Sequence, residues 1–185
     1  MIHQKFQDEY LDEMANRLLE EWKDLDINYP KKEEGFYTSD DSLSLAMESG
    51  IDVDQNFGKR QPFDIEESYL IKDQIYITKM LMGRFPKCSI SRSGFFYYPP
   101  GEGMRWHTNA DTPYLRCYLN YSQNGDSYFK YYDQETKKTV VDMDFPGWNI
   151  RHFHINNEKD NLFWHSVYSR THRISVGFRI INNLK

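Results

Sequence analysis

The sequence has only two cysteines, Cys88 and Cys117, in 185 residues, too few for a disulfide framework and with no Cys-x-x-Cys spacing for a metal knuckle. Both lie in strand-like text, which suits buried reduced thiols. No stretch approaches the roughly 18 apolar residues needed to span a bilayer. The opening, MIHQKFQDEYLDEM, is acidic and lacks the apolar centre of a secretory signal, so a cytoplasmic protein without membrane attachment is expected. Nor is there an excess of positive charge: the formal net charge is −5, and no basic patch is visible, which argues against nucleic acid as a partner. What is abundant is aromatic side chains, 14 Tyr, 12 Phe and 4 Trp, far too many for a disordered chain. The length fits one domain, residues 1–185, able to bury a core without staples.

Two grammars divide the chain. From Gln4 to about Leu25, Phe6, Tyr10, Met14, Leu18, Trp22 and Leu25 recur at steps of three and four, predicting an amphipathic helix that needs a surface to lie on. A short helix through Met47, capped by Asp40 or Asp41 and stopped by Gly50, follows. Ile51 to Pro62 has no clear period. Glu66 to Met82 is apolar on much of its circumference and predicts a more deeply buried helix ending at Gly83. Residues 1–86 thus form a helical support region.

From Lys87 onward the pattern is eight short segments rich in Tyr, Phe, Val and Ile: Ser89–Tyr98, Met104–Thr108, Tyr114–Ser122, Ser127–Tyr132, Thr139–Met143, Asn149–Ile155, Leu162–Tyr168 and Arg173–Ile181. Asn124-Gly125 reads as a hairpin turn, and Pro99-Pro100-Gly101 and Pro146-Gly147 as further corners. Helices first and about eight antiparallel strands afterwards is the plan of a mainly β protein, a jelly roll (residues 87–185) with N-terminal α-helices packed on one sheet.

Three groups of residues carry possible chemistry. His107 and Asn109 are two apart on a predicted strand and so share a face, and His165 lies on a later strand that reaches them across the roll. Two histidines and one oxygen donor on one side of an iron leave three positions open, the facial arrangement of non-haem iron sites. The same spacing also suits two ordinary half-buried strand histidines. His152-Phe153-His154 followed by Glu158 has the His-x-His-x₃-Glu spacing of a cupin metal site, although Glu158 sits in a turn-like polar cluster where a solvated face is the simpler meaning. In the final strand, Ile174, Val176, Phe178 and Ile180 occupy one side and Arg173, Ser175, Gly177 and Arg179 the other. If helices cover the apolar side, the polar side faces the space between the sheets, where Arg173 beside the Ser175 hydroxyl suits a carboxylate. A buried guanidinium needs an anion, which the cavity is expected to contain.

The run Tyr98-Pro99-Pro100-Gly101 through Met104-Arg105-Trp106-His107-Thr108-Asn109, followed by Trp164-His165-Ser166-Val167 and Arg173-Ile174-Ser175, resembles the motifs of the iron(II)- and 2-oxoglutarate-dependent dioxygenases, a double-stranded β-helix, cupin-like family. The family's His-x-Asp or His-x-Glu is matched by His107-x-Asn109, with Asn where an acid usually stands; its distal His-x-Val by His165; its Arg-x-Ser by Arg173 and Ser175. The similarity covers about Lys87 to the end. It implies Fe(II) held by His107, His165 and a third oxygen donor, Asn109 or else Asp111, with Arg173 and Ser175 binding the distal carboxylate of 2-oxoglutarate. It further implies oxidative decarboxylation of that cosubstrate to succinate, coupled to hydroxylation of a small-molecule or peptidyl substrate. Tyr98 and Tyr118 are candidates to hydrogen-bond the cosubstrate, with packing as the plainer role for each, and Arg116 and Asn120 share strand parity with Tyr118. Asn109 fills the space in which halogenases hold a halide, so halogenation is not expected. A jelly roll that binds a ligand through a degenerate metal site, without catalysis, and a cupin-type metalloenzyme built on His152, His154 and Glu158 are the alternatives. Oligomeric state is not legible.

Overall fold

The computed structural model describes residues 1–22, 32–50, 63–64 and 70–182. Among these residues, ten strands form two antiparallel sheets. In chain order they are β1 (Ile2–Phe6), β2 (Phe63–Asp64), β3 (Cys88–Tyr98), β4 (Glu102–His107), β5 (Leu115–Ser122), β6 (Ser127–Asp133), β7 (Lys138–Met143), β8 (Gly147–His154), β9 (His165–Ser169) and β10 (Arg173–Asn182). The six-stranded sheet has the order β1-β8-β5-β10-β3-β2, and the four-stranded sheet β4-β9-β6-β7. The eight expected strands are all present within a few residues of their predicted limits. Apart from the β6–β7 pair, each connection from β3 to β10 carries the chain from one sheet to the other. Asn124-Gly125 is therefore a corner between sheets rather than a hairpin, with Gly125 at φ 85° supplying the left-handed residue the turn requires.

The helices are α1 (Glu9–Trp22), α2 (Glu34–Thr38), α3 (Asp40–Ser49) and α4 (Ile71–Arg84). Strand alternation explains where α1 and α4 lie. Cys117 and Leu119 of β5, Trp148 and Ile150 of β8, and Ile174, Val176, Phe178 and Ile180 of β10 point to one side of the large sheet, where they pack with Leu11, Met14, Ala15 and Leu18 of α1 and Ile77 and Leu81 of α4. Each such side chain fully removed from water contributes about 1.5–3 kcal/mol. Polar contacts lock the two helices together: Tyr76 donates to Asp8 Oδ2, and Tyr10 and Arg17 both donate to the buried Asp73.

The helical region departs from expectation in four respects. Residues Ile2–Phe6 do not begin α1; they pair with β8 and cover its edge, while Asp8 accepts the Leu11 N–H and starts the helix there. Ser39 rather than Asp40 or Asp41 caps α3, its hydroxyl accepting from the Ser42 N–H, and Gly50 ends that helix at φ 62°. Asp40 instead pairs with Lys130. α4 is not buried on most sides, since Ile71, Ile75 and Met82 are exposed; the expected start at Glu66, the aperiodic stretch 51–62 and the end of the first helix near Leu25 lie outside the described residues. Finally, the helices do not all pack on one sheet: α2 and α3 lie on the four-stranded sheet, where Trp106 donates its indole N–H to the Ser39 carbonyl and packs with Leu43, Ala46 and Trp164. No helix among the described residues is long and apolar enough to cross a membrane.

Candidate metal centre and anion-binding interior

Between the sheets lie the inward side chains of alternate residues. Tyr98, Phe129, Phe153 and Val167 form an apolar cluster drawn from both sheets, with Phe96, Tyr118, Tyr131 and Phe163 against it. Around this cluster the strand parity of the large sheet places a polar inner face: Arg173, Ser175, Gly177 and Arg179 of β10 beside Ser122, Asn120, Tyr118 and Arg116 of β5.

At one end, β4 and β9 pair His107 with His165. The two imidazoles have centroids 4.1 Å apart and are buried, 7% and 1% exposed. The Nδ1 of His107 lies 2.7 Å from the Arg105 carbonyl oxygen, and that of His165 lies 2.9 Å from the Phe163 carbonyl oxygen. A carbonyl only accepts, so in each neutral ring Nδ1 carries the proton and Nε2 keeps the lone pair that a metal needs. Outer hydrogen bonds of this kind fix tautomer and ring orientation in metal sites. Burial, the neighbouring His107 and the charge of Arg116 hold His165 well below the usual histidine range, so it is neutral at physiological pH. Phe129, Phe153 and Phe163 wall it on other sides, with ring centroids 5.3, 5.6 and 5.4 Å away.

Asn109 comes to this pair by an unexpected route. β4 ends at His107, and Asn109 stands in the left-handed region at φ 55°, so a turn rather than strand alternation aims its side chain. Asn is among the residues that tolerate this conformation best. Its Nδ2 lies 3.2 Å from His165 Nε2 and donates to that lone pair; a half-turn of the amide would present Oδ1 instead. The donor set of two Nε2 atoms and one amide oxygen fits a divalent iron, with less charge than a carboxylate would give. Asp111 is exposed in the following turn, and its charge acts on Arg116. Among the described residues no three His, Cys, Asp or Glu side chains cluster as a metal site.

The His152, His154 and Glu158 group is not brought together. His152 points to the helix side of the large sheet, where its ring meets Phe85, while His154 and Glu158 are exposed. The cause is strand parity: residues 148, 150 and 152 of β8 form the face under α1 and α4, and 149, 151 and 153 face inward. Burial pushes His152 down to about 4, so it is a neutral core imidazole.

Arg173 does face inward, 1% exposed, with its guanidinium 5.1 Å from the Tyr98 ring centroid. The anion expected beside it is partly supplied by the protein. Asp144, just after β7, accepts from Arg173 Nε at 3.0 Å and also from Arg151 and Ser127. Burial would raise this carboxyl, but Arg173, Arg151 and the Ser127 hydroxyl hold it well below the usual carboxylate range. Sequence reasoning missed Asp144, whose only signal is an acid at the mouth of a turn in Asp142-Met143-Asp144-Phe145-Pro146. Arg173 Nη1 nevertheless remains buried without a partner, as does Asn120 Nδ2, while Asn120 Oδ1 accepts from Ser175. Two unfilled donors in one interior suit a further anion. Tyr118 lies across Gly177, where a Cβ would come within 2.7 Å of its ring, and its hydroxyl is 3.4 Å from Ser93 Oγ.

No family model matches the chain, and no curated protein matches it by sequence. Solved structures similar to it include a prolyl-4-hydroxylase of Pseudomonas putida, with 17% identity, a TM-score of 0.40 and coverage of 66% of each chain. A prolyl hydroxylase from Trichoplax adhaerens, in complex with a hypoxia inducible factor oxygen degradation domain peptide fragment, gives 14% identity, 0.39, and coverage of 95% of this chain and 94% of that one. Peruvianin-I, a cysteine peptidase from Thevetia peruviana latex, gives 14% identity and 0.34, with coverage of 86% and 85%. Scores at this level take in hydroxylases and a peptidase alike, so the chemistry has to be argued from the side chains.

Proposed function

We propose that the protein is a cytoplasmic, single-domain iron(II)- and 2-oxoglutarate-dependent oxygenase on a double-stranded β-helix, with β3 to β10 as the eight strands of the roll. The observation that carries this reading is the pair of buried imidazoles, each with Nδ1 tied to a carbonyl two residues earlier and Nε2 left as the lone-pair nitrogen. His107, His165 and Asn109 would hold the iron, and Arg173 with Ser175 would receive the distal carboxylate of 2-oxoglutarate, Tyr98 and Tyr118 lining its path. Iron and 2-oxoglutarate together supply the activation of dioxygen for hydroxylation. The chain's own residues do the rest. The carbonyls of Arg105 and Phe163 hold the Nδ1 edge of each imidazole and orient the rings, and burial keeps His165 neutral. Phe129, Phe153 and Phe163 exclude water from His165, and Arg173, with Asp144 holding its Nε edge, presents Nη1 to an incoming carboxylate. The substrate is a small molecule or a peptidyl side chain.

The test is iron and cosubstrate binding by the full chain. His107→Ala and His165→Ala should each abolish iron(II) binding, Asn109→Asp should raise iron affinity, and Asp111→Ala should leave it nearly intact. Arg173→Ala should weaken 2-oxoglutarate binding by at least about tenfold, since charge-assisted hydrogen bonds are worth roughly 1.5–3 kcal/mol. Succinate should be released from 2-oxoglutarate when iron is supplied. Iron binding that survives loss of either histidine would sink the reading. Iron and 2-oxoglutarate bound with no succinate released over substrate pools would favour the noncatalytic ligand-binding alternative, for which Asn109 in place of an acid is the specific argument.

A further inference from the structure

Four arginines project from the large sheet into its inner face, and the protein treats them in two ways. Arg173 and Arg151 share the buried Asp144, and Arg151 also pairs with Asp142. Arg116 and Arg179 have no carboxylate bound to them among the described residues. They are direct cross-strand partners on β5 and β10, so their side chains leave the sheet side by side. Arg116 is 2% exposed; its Nη atoms donate to Ser93 Oγ and to the carbonyl and hydroxyl of Thr112, and its Nε has no partner. Arg179 donates through Nη2 to the Arg92 carbonyl, and its Nε is likewise buried and unfilled. Neutral oxygens satisfy part of each fork and none of the charge. Two like charges side by side, with the exposed Asp111 the one acid acting on Arg116 among the described residues, are costly in a protein interior, and burial of Arg116 with Arg179 beside it lowers the proton affinity of its guanidinium although Asp111 opposes this.

The pair belongs to the imidazole end of the interior. Arg116 is the cross-strand partner of Phe153, whose ring touches His165, and its charge acts on that imidazole. Arg173 is at the opposite end of β10, paired with Ser122 and Tyr98. We infer that Arg116 and Arg179 form a second anion subsite that receives a carboxylate of the substrate, one oxygen for each unfilled Nε–H. This rests on the oxygenase reading above and narrows it: the substrate is an acid, whose carboxylate is held beside the metal centre and apart from the Arg173 end. One carboxylate offers two coplanar acceptors, which matches two N–H donors on adjacent strands.

The test uses the full, metal-free chain with arginine Nε–H resonances as the readout and glutarate as the probe, inorganic phosphate being the comparison. Glutarate should shift the Arg116 and Arg179 Nε–H signals saturably. Arg179→Gln, at a half-buried position that is easier to vary, should weaken that response at least tenfold, and Arg116→Lys, which keeps the charge but loses the fork, should weaken it as well. Arg173→Gln should leave these two signals responsive. Signals that stay still under glutarate, or that respond to phosphate alone, overturn the assignment. If succinate release from 2-oxoglutarate is absent while glutarate still moves both signals, the oxygenase reading falls and the subsite stands; if succinate is released but the signals do not move, the subsite alone falls.

Discussion

His152 shows how one side chain serves structure where its spacing suggested chemistry. Both ring nitrogens are buried without partners, and its proton affinity is lowered by burial, with Arg84 adding to the effect. The unfolded chain therefore binds a proton there more readily than the folded one, and stability should fall as pH drops from about 6.5 toward 4, by roughly 3 kcal/mol if the whole shift is expressed. His152→Leu should flatten that part of the profile and raise stability in mildly acidic buffer, as read by urea unfolding at pH 7 and pH 5. An unchanged slope would mean that the imidazole is hydrated in solution. Asp144 is the converse case. Asp144→Asn removes the carboxylate shared by Arg151 and Arg173 and should cost about 3–5 kcal/mol, because it strands buried charge; a loss below 1 kcal/mol in denaturant titrations would show that the guanidiniums find other partners. That His107, His165 and Arg173 are turned into the interior was legible from strand parity. Asp144 was not, since a carboxylate outside a strand carries no period, and the burial that makes it important is set by residues far along the chain.

At the scale of elements, segments rich in Tyr, Phe, Val and Ile between turn residues located all eight strands of the C-terminal half, and the three-four stripe located α1. What it did not reveal was which neighbour each element chooses. IHQKF looks like the start of a helix until β8 offers an unpaired edge, and Asn124-Gly125 specifies a turn conformation while saying nothing about which sheet the next strand joins. The stripe of α1 does specify its partner's chemistry, and Leu18, completely buried against the large sheet, is its most direct probe. Leu18→Ala should cost about 2–5 kcal/mol, and Leu18→Asp should lower the melting temperature further by placing a charge in an apolar contact. Full stability in the Asp variant would mean that α1 is not docked on the sheet in solution.

For the molecule as a whole, two acid-sensitive devices act over different ranges. His152 governs the fall below about pH 6.5. Asp142 and Asp144, whose proton affinity would be raised by burial but is lowered by His3 and Arg151 at Asp142 and by Arg173 and Arg151 at Asp144, add stability that is present above the ordinary carboxylate range and is lost as pH falls through their depressed values. Acid unfolding should therefore show two limbs, and His152→Leu should remove only the upper one, as followed by circular dichroism from pH 7 to pH 2. The seat of Tyr118 has its own consequence for the whole interior. Because Gly177 has no side chain, the aromatic ring can lie back against the sheet one same-face step from Arg179 and two from Arg173. A methyl group there would meet the ring at 2.7 Å, with the Gly94 carbonyl also close at 3.2 Å, and would lever the phenol forward into the space between the sheets. Gly177 thus sets how far the Tyr118 ring stands out from the sheet. Gly177→Ala should press that ring toward Phe153, which it meets edge-on with centroids 5.2 Å apart, and lower the melting temperature; an unchanged melting temperature would show that the ring moves aside without cost.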